Sequence, residues 1–353
     1  MVFKAVAGQS PEQVHVVRDP ATGLDAVIVL HSTALGAAAG GCRLWTYADH
    51  NEMAADACRL AEGMSYKNAL AGLPLGGGKA VIRKPVGTID RHALFEAFGR
   101  AVQALDGAYV TAEDVGTSVD DMSVVASRTR HVAGLPVRTG EVGGDPSPWT
   151  ALGVFLAMEH AVRRRLGRGL AECTVAIQGV GHVGAELARL LHGAGARLIV
   201  ADVDPEAVAR TAVALGAHVA SVRSILTCEA DVFAPCALGG VLNERTIPAL
   251  RAKVVCGAAN NQLREPEDGR RLADRGILYA PDFVVNAGGI INVAAEYLGW
   301  SAAEARHRVE GIPGRLAQLL DLAERHGVAT DRAAEQLARE VMATGTQHSR
   351  RAA

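Results

Sequence analysis

The stretch from Thr174 to Asp202 reads TVAIQGVGHVGAELARLLHGAGARLIVAD. An apolar strand, Thr174 to Gln178, runs into Gly179-x-Gly181-x-x-Gly184. A helical pattern follows, and a second strand, Arg197 to Ala201, ends on Asp202. A lone G-x-G-x-x-G carries little weight. Set between strand and helix, with an acid about 20 residues on, it is the dinucleotide-binding fingerprint. Gly179 makes the tight turn, Gly181 lets the backbone reach a pyrophosphate, and Gly184 lets the helix pack close on the strand. The helix N-terminus, through His182 and Val183, offers N–H groups to the anion. The His182 side chain is expected toward solvent. Asp202 is placed to bond the adenosine ribose hydroxyls. Asp204 adds a second acid, and no Arg or Lys lies between them to take a 2′-phosphate, so NAD is favoured over NADP. The competing role for Asp202 is to cap a helix starting at Pro205.

Working outward, the parallel pattern repeats. Asp231 to Ala234 enters Pro235–Gly240, Lys253 to Cys256 enters Gly257–Asn261, and Leu278 to Ala280 enters Pro281–Gly289. In a doubly wound sheet such loops line the ligand crevice at the carboxyl ends of the strands. Cys236, Ala237, Ala258, Asn260 and Asn286 are therefore expected at the cofactor. The two asparagines are suited to its carboxamide or to a polar substrate, although a single Asn is more often a turn residue. Gly134 to Pro148, with Gly140, Gly143, Gly144, Pro146 and Pro148, reads as a hinge. A helix from about Thr150 to Leu166 follows it. The last third reads as helices over Ala287–Leu298, Ala302–Arg325 and Asp331–Met342, with a frayed end from Gln347.

The N-terminal half begins with two strands, His15–Arg18 and Leu24–His31, joined by a Pro20–Gly23 turn. A helix is expected over Glu52–Met64. Met64 to Ile82 then reads MSYKNALAGLPLGGGKAVI, and Lys67 and Lys79 flank its apolar, Gly-rich run. Three successive glycines let the backbone take φ > 0 and approach a ligand. Only five of the 36 basic residues are lysines, the others being Lys4, Lys84 and Lys253. Where Arg is the habitual cation, two lysines beside a glycine run point to chemistry, because a buried Lys can shift its pKa and Arg cannot. Ala80 fills the Ser/Thr position of a P-loop, which disfavours magnesium-nucleotide chemistry. After a helix over Arg91–Leu105, the strand Tyr109–Thr111 leads into Ala112-Glu113-Asp114-Val115-Gly116. Asp114 sits there either as a site residue or as the cap of a helix beginning near Val119.

The 353 residues suggest two domains. A net charge of −2 gives no bias toward nucleic acid. No apolar run reaches the roughly 18 residues of a membrane span, and no signal-peptide pattern opens the chain, so a cytoplasmic location is the default. The six cysteines show no C-x-x-C and read as reduced core residues. The twelve histidines show no H-E-x-x-H, so no metal is expected.

Eight ordered stretches together resemble the leucine, valine and phenylalanine dehydrogenases, relatives of glutamate dehydrogenase. They are GGCRLW near Gly40, GMSYKNALAGLPLGGGKAVI, YVTAEDVGTSVDDM, GGDPSPWTALGV, the glycine fingerprint, VFAPCALGG, VVCGAANNQL and ILYAPDFVVNAGGIINV. The resemblance implies an α/β substrate-binding and oligomerisation domain over residues 1–135 and a linker over 136–148. It implies a Rossmann-type doubly wound NAD domain over 149–325, with a deep interdomain cleft. A C-terminal helix and tail over 326–353 would pack back toward the N-terminal domain. It further implies that Lys67 binds the substrate carboxylate. Lys79, with a lowered pKa, would activate the water that attacks the imine, and Asp114 would relay protons. Thr150 would touch the nicotinamide, and Asn260 and Asn286 would lie beside the reacting centre. The side-chain pocket falls near Gly40, Gly41, Leu44, Met64, Ala112, Ile290 and Val293. Cys42 and Leu152 depart from residues common in the family. The implied activity is reversible oxidative deamination of Leu, Val or Ile by a homo-oligomer, dimer or octamer. The alternatives are a phenylalanine dehydrogenase and a non-catalytic NAD-binding relative.

Overall fold

The computed structural model describes residues 10–87, 89–136 and 142–352; Gly140 of the expected hinge lies outside them. The chain forms two compact units. Unit 1 comprises Met1–Asp145, Asn292–Ala305 and Ala338–Ala353, and unit 2 comprises Pro146–Ile291 and Arg306–Leu337.

Unit 1 contains β1 (Gln13–Asp19), β2 (Leu24–Ser32), β3 (Ala38–Ala39), β4 (Cys42–Trp45), α1 (His50–Leu70), β5 (Gly76–Arg83), α2 (Arg91–Gln103), β6 (Tyr109–Val110) and α3 (Val119–Ala126). The sheet runs β1-β2-β5-β3-β6, with β4 also paired to β5. The β1–β2 and β2–β5 pairs are antiparallel, and the other pairs are parallel. Side chains alternate between its two faces. One face joins Leu24, Ala26, Ile28, Leu30, Ala80 and Ile82 to Phe95, Phe98 and Val102 of α2 and to Met122 and Val125 of α3. The other joins Val27, Val29 and Val81 to Met53, Ala57 and Ala61 of α1. Helix α1 starts at Asp49, whose side chain accepts from the Asn51 and Glu52 N–H groups. It runs past the expected Met64 to Leu70, so Lys67 is a helical residue.

The three glycines do not form a turn. Gly76, Gly77 and Gly78 are strand residues of β5, and none has positive φ. Their lack of a Cβ serves close packing. A Cβ on Gly77 would lie 2.1 Å from the Ser65 amide nitrogen of α1. One on Gly76 would lie 2.0 Å from the Ser32 carbonyl, and one on Gly78 3.0 Å from the Tyr109 ring. Asn68 of α1 donates to the Gly76 carbonyl at 2.6 Å and fastens the same contact.

Unit 2 carries α4 (Ser147–Leu166), β7 (Thr174–Gln178), α5 (His182–Gly193), β8 (Arg197–Ala201), α6 (Pro205–Leu215), β9 (His218–Val219), β10 (Val232–Pro235), β11 (Val254–Val255), α7 (Asp268–Asp274), β12 (Leu278–Tyr279) and α8 (Asp282–Val285). Its sheet is parallel throughout, in the order β12-β11-β10-β7-β8-β9. Counting from β7 this is 3-2-1-4-5-6, the doubly wound order of dinucleotide-binding folds. Helix α4 begins inside the stretch expected as hinge. Pro148 fits at its second position because a helix start leaves that N–H unpaired in any case. Next come α9 (Gly288–Leu298), α10 (Ala302–Glu310), α11 (Ile312–His326) and α12 (Thr330–Ala352). The single helix expected over 302–325 breaks at Gly311, where Pro313 opens α11. The C-terminal helix continues to Ala352, through the stretch expected to fray.

The packing makes two glycines of unit 1 behave oppositely. Gly77→Ala drives a methyl group into the α1 backbone and is expected to cost about 3 kcal/mol. A Cβ on Gly63, within α1, meets nothing within 4 Å. Gly63→Ala is expected to stabilise by ~0.5–1 kcal/mol. Urea unfolding of both variants checks this, and equal effects would refute the close contact.

Candidate active site

Strand pairing brings the charged groups of unit 1 together. Lys79 lies opposite Val29, and Arg43 lies opposite Val81. By alternation both side chains leave the sheet on the face that α1 covers. Lys79 is 5% exposed, and its Nζ lies 2.7 Å from Asp114 Oδ2. Asp114 comes from the loop after β6. The Thr117 hydroxyl accepts the Asp114 N–H at 2.8 Å and reaches the Cys42 carbonyl at 3.0 Å. The Cys42 N–H donates to the Ala112 carbonyl at 2.7 Å. A Cβ on Gly41 would lie 2.6 Å from the Glu113 carbonyl, so the loop can press on β4 only where glycine stands. Ser118 caps α3, and Asp114 is therefore not a helix cap.

The same carboxylate oxygen takes a second cation, because Arg43 Nε donates to Asp114 Oδ2 at 3.1 Å. Arg43 Nη1 donates to Asp56 Oδ2 at 3.1 Å. That aspartate also accepts from the Tyr47 hydroxyl at 2.7 Å and from Arg59 at 2.5 Å. Burial alone would push the Asp114 carboxyl up. The Lys79 ammonium and the Arg43 guanidinium outweigh it and hold the group below the usual carboxylate range. Nothing in the spacing of GGCRLW singles out Arg43. Strand alternation does: Cys42 and Leu44 both enter the core, which turns the intervening Arg to the face of Lys79.

Around this pair, Gly40 is buried, with its Cβ position 1.9 Å from the Gly78 carbonyl and 3.1 Å from Met64 Cγ. Tyr109 donates to the Gly40 carbonyl at 2.6 Å. Met64 and Lys67 lie one turn apart on α1, both half-buried. Lys67 also complements the C-terminal dipole of that helix. Ala112 is half-buried, whereas Leu44 belongs to the buried core beneath. Val293 and Ile290 are half-buried, one turn apart on α9.

In unit 2, Gly179 has φ 97°, and a Cβ on Gly184 would lie 1.9 Å from the Gly179 carbonyl. Both glycines are thus required as expected. Nothing lies within 4 Å of the Cβ position of Gly181, and α5 starts there with no side-chain cap. His182 is exposed and Val183 half-buried. Asp202 accepts from the Val180 N–H at 2.7 Å and from the Asp204 N–H at 3.0 Å. The cap of α6 is Asp204, which leaves Asp202 tied to the glycine turn. Asn286 donates to the Ala258 carbonyl at 3.0 Å and to Asn260 Oδ1 at 2.8 Å. Its own Oδ1 is buried with no partner among the described residues. Thr150, in the first turn of α4, has its hydroxyl 2.6 Å from the Cβ position of Gly289. Cys236 and Ala237 crowd Gly179 from the end of β10. An uncapped glycine turn and an orphaned amide oxygen fit a dinucleotide with a carboxamide.

Known proteins resemble this chain over nearly its whole length. Residues 11–131 match the family described as "Glu/Leu/Phe/Val dehydrogenase, dimerisation domain". Residues 145–208 and 205–349 match "Glutamate/Leucine/Phenylalanine/Valine dehydrogenase". The chain belongs to the Glu/Leu/Phe/Val dehydrogenase family. It is 47% identical over 340 residues to a leucine dehydrogenase of Thermoactinomyces intermedius, covering 96% of this chain and 93% of that protein. It is 46% identical over 340 residues to a valine dehydrogenase of Streptomyces albus, covering 94% and 92%. The crystal structure of L-tryptophan dehydrogenase from Nostoc punctiforme superposes with a TM-score of 0.85 at 39% identity, covering 96% and 97%. The protein is an amino acid dehydrogenase, an oxidoreductase of a family that uses a nicotinamide cofactor. No described helix is long and apolar enough to cross a membrane.

The lowered Asp114 pKa fixes a sign. Its ion pairs stabilise the fold above the ordinary carboxylate value of about 4, and that contribution is lost as pH falls through the lowered folded value. The stability gap between wild type and Asp114→Asn is therefore expected to be larger at pH 7 than at pH 3. A gap in the urea midpoint that does not change with pH would show that Asp114 is not held charged.

Proposed function

We propose that the protein catalyses reversible oxidative deamination of branched-chain L-amino acids, with NAD as hydride acceptor. The observation that carries the reading is the buried Lys79–Asp114 pair at 2.7 Å. A nicotinamide dinucleotide, when bound, takes the hydride from the substrate Cα. The chain's residues do the rest. Lys67 fixes the substrate carboxylate. Lys79 orients and activates the water that attacks the substrate imine, and Asp114 moves protons between Lys79, the carbinolamine and the departing ammonia. In unit 2 the Gly179–Gly184 turn and the α5 N-terminus would hold the pyrophosphate. Asn286, with Asn260 and Thr150, would hold the nicotinamide end. The Asp202 carboxylate would bond the ribose hydroxyls and repel a 2′-phosphate, which favours NAD over NADP.

Substrate choice follows from size and charge. Gly40, Gly41, Met64, Ala112 and Val293 carry no charge, so a glutamate γ-carboxylate would be buried without a partner. The Ala112 methyl limits the space, and Val293 is stiff at χ1. The leucine and valine dehydrogenase relatives support the aliphatic reading. A hydrophobic pocket separates neighbouring substrates by only ~1–3 kcal/mol, so Leu, Val and Ile are expected to overlap. The protein is further proposed to act in the cytoplasm as a homo-oligomer, a dimer or octamer.

The test is NADH formation at alkaline pH with Val, Leu, Ile, Phe, Trp, Glu and Ala. Fastest turnover on the branched aliphatics supports the proposal, and fastest turnover on Phe or Trp refutes the pocket. Lys79→Ala is expected to abolish turnover while fluorescence titration still shows NADH binding; near-normal turnover sinks the assignment. Ala112→Gly is expected to raise the ratio of kcat/KM for Phe over Leu, and an unchanged ratio removes Ala112 from the pocket.

A further inference from the structure

We infer that Arg43 is the positioning residue for Asp114 and that Asp56, braced by Tyr47, holds Arg43 to that task. The inference rests on the proton-relay role proposed for Asp114. Two cations converge on one oxygen of Asp114, Lys79 Nζ at 2.7 Å and Arg43 Nε at 3.1 Å. Lys79 takes part in the chemistry and its proton count changes during turnover. A carboxylate held by Lys79 alone would swing whenever that proton leaves. Arg43 stays charged throughout and keeps the oxygen in place in every state of the cycle.

Arg43 needs its own restraint. Its far side borders a solvent-open cavity of about 430 Å³, lined by Trp45, Tyr47, Asp56 and Arg59 among others. A guanidinium facing open solvent has rotamers that abandon Asp114. Asp56 removes them by accepting from Nη1 at 3.1 Å. Asp56 is fixed in turn by the Tyr47 hydroxyl at 2.7 Å and by Arg59 on its other oxygen. The chain Tyr47–Asp56–Arg43–Asp114 ties the start of α1 to the reacting carboxylate. A lysine at position 43 has no rigid fork and cannot serve both aspartates at once.

The experiment compares wild type, Arg43→Lys, Tyr47→Phe and Asp114→Asn for kcat, KM and the pH profile of kcat/KM, with thermal unfolding of each. Arg43→Lys is expected to lower kcat roughly 100-fold, the scale of an ångström-sized misplacement, with KM for NAD nearly unchanged. Its acid limb is expected to rise, because a lysine keeps the charge but not the Nε–H donor that favours the charged form of Asp114. Tyr47→Phe, which removes one hydroxyl, is expected to move the acid limb the same way by less. Wild-type pH profiles in both variants, or activity lost only in proportion to folded protein, overturn the inference. If Arg43→Lys does not fold, the Tyr47→Phe profile alone decides. An active Asp114→Asn would instead remove the relay role itself, and that result is distinct from a normal Arg43→Lys beside an inactive Asp114→Asn.

Discussion

The approach of α1 to β5 is the constraint on which unit 1 depends. With the Gly77 Cβ position 2.1 Å from a backbone nitrogen of α1, helix and strand meet closer than any side chain allows. That contact fixes the height of the helix over the sheet. It thereby fixes Met64 and Lys67 on the helix relative to Lys79 on the strand. The glycines are a packing device whose product is the geometry of two lysines, one on each side of a contact that cannot slide.

Around that contact the charges are arranged so that each is answered. Lys79 is buried and would be costly alone. Asp114 answers it, Arg43 answers Asp114, and Asp56 answers Arg43. Buried ion pairs of this kind add little net stability, because desolvation consumes most of the Coulomb gain. Their worth lies in geometry. Each hydrogen bond in the series removes a rotamer from the next side chain, and the series ends on the Asp114 carboxylate.

The doubly wound unit was legible in Thr174–Asp202 because glycine spacing and the acid after the second strand express the same local turn. The 3-2-1-4-5-6 strand order was not legible there, because local strand–loop signals do not say which strands pair. Other features were hidden for physical reasons. A glycine run has the same sequence whether it frees a loop or thins a strand, and only the helix lying on it distinguishes the two. Pro148 signals a break to the eye, yet it suits a helix start. The split at Gly311 was masked by apolar spacing that continues across it. Lys79 and Asp114 stood out by residue type and position, whereas Arg43 is one Arg among many and gains meaning only when β4 pairs with β5.

On the proposed preference for NAD, the tie between Asp202 and the glycine turn makes cofactor choice part of the turn itself. Its carboxylate already accepts the Val180 N–H at 2.7 Å, so the acid shapes the turn before any ribose arrives. Each carboxylate oxygen can accept further bonds, and the side chain remains competent toward hydroxyl donors. A 2′-phosphate would bring two like charges to a group that cannot swing away without releasing the turn. Selecting NADP by mutation at this position would therefore carry a structural cost that mutation of a freely rotating surface acid would not. On this argument a switch of cofactor needs a new cation beside Asp202 rather than the loss of Asp202 itself.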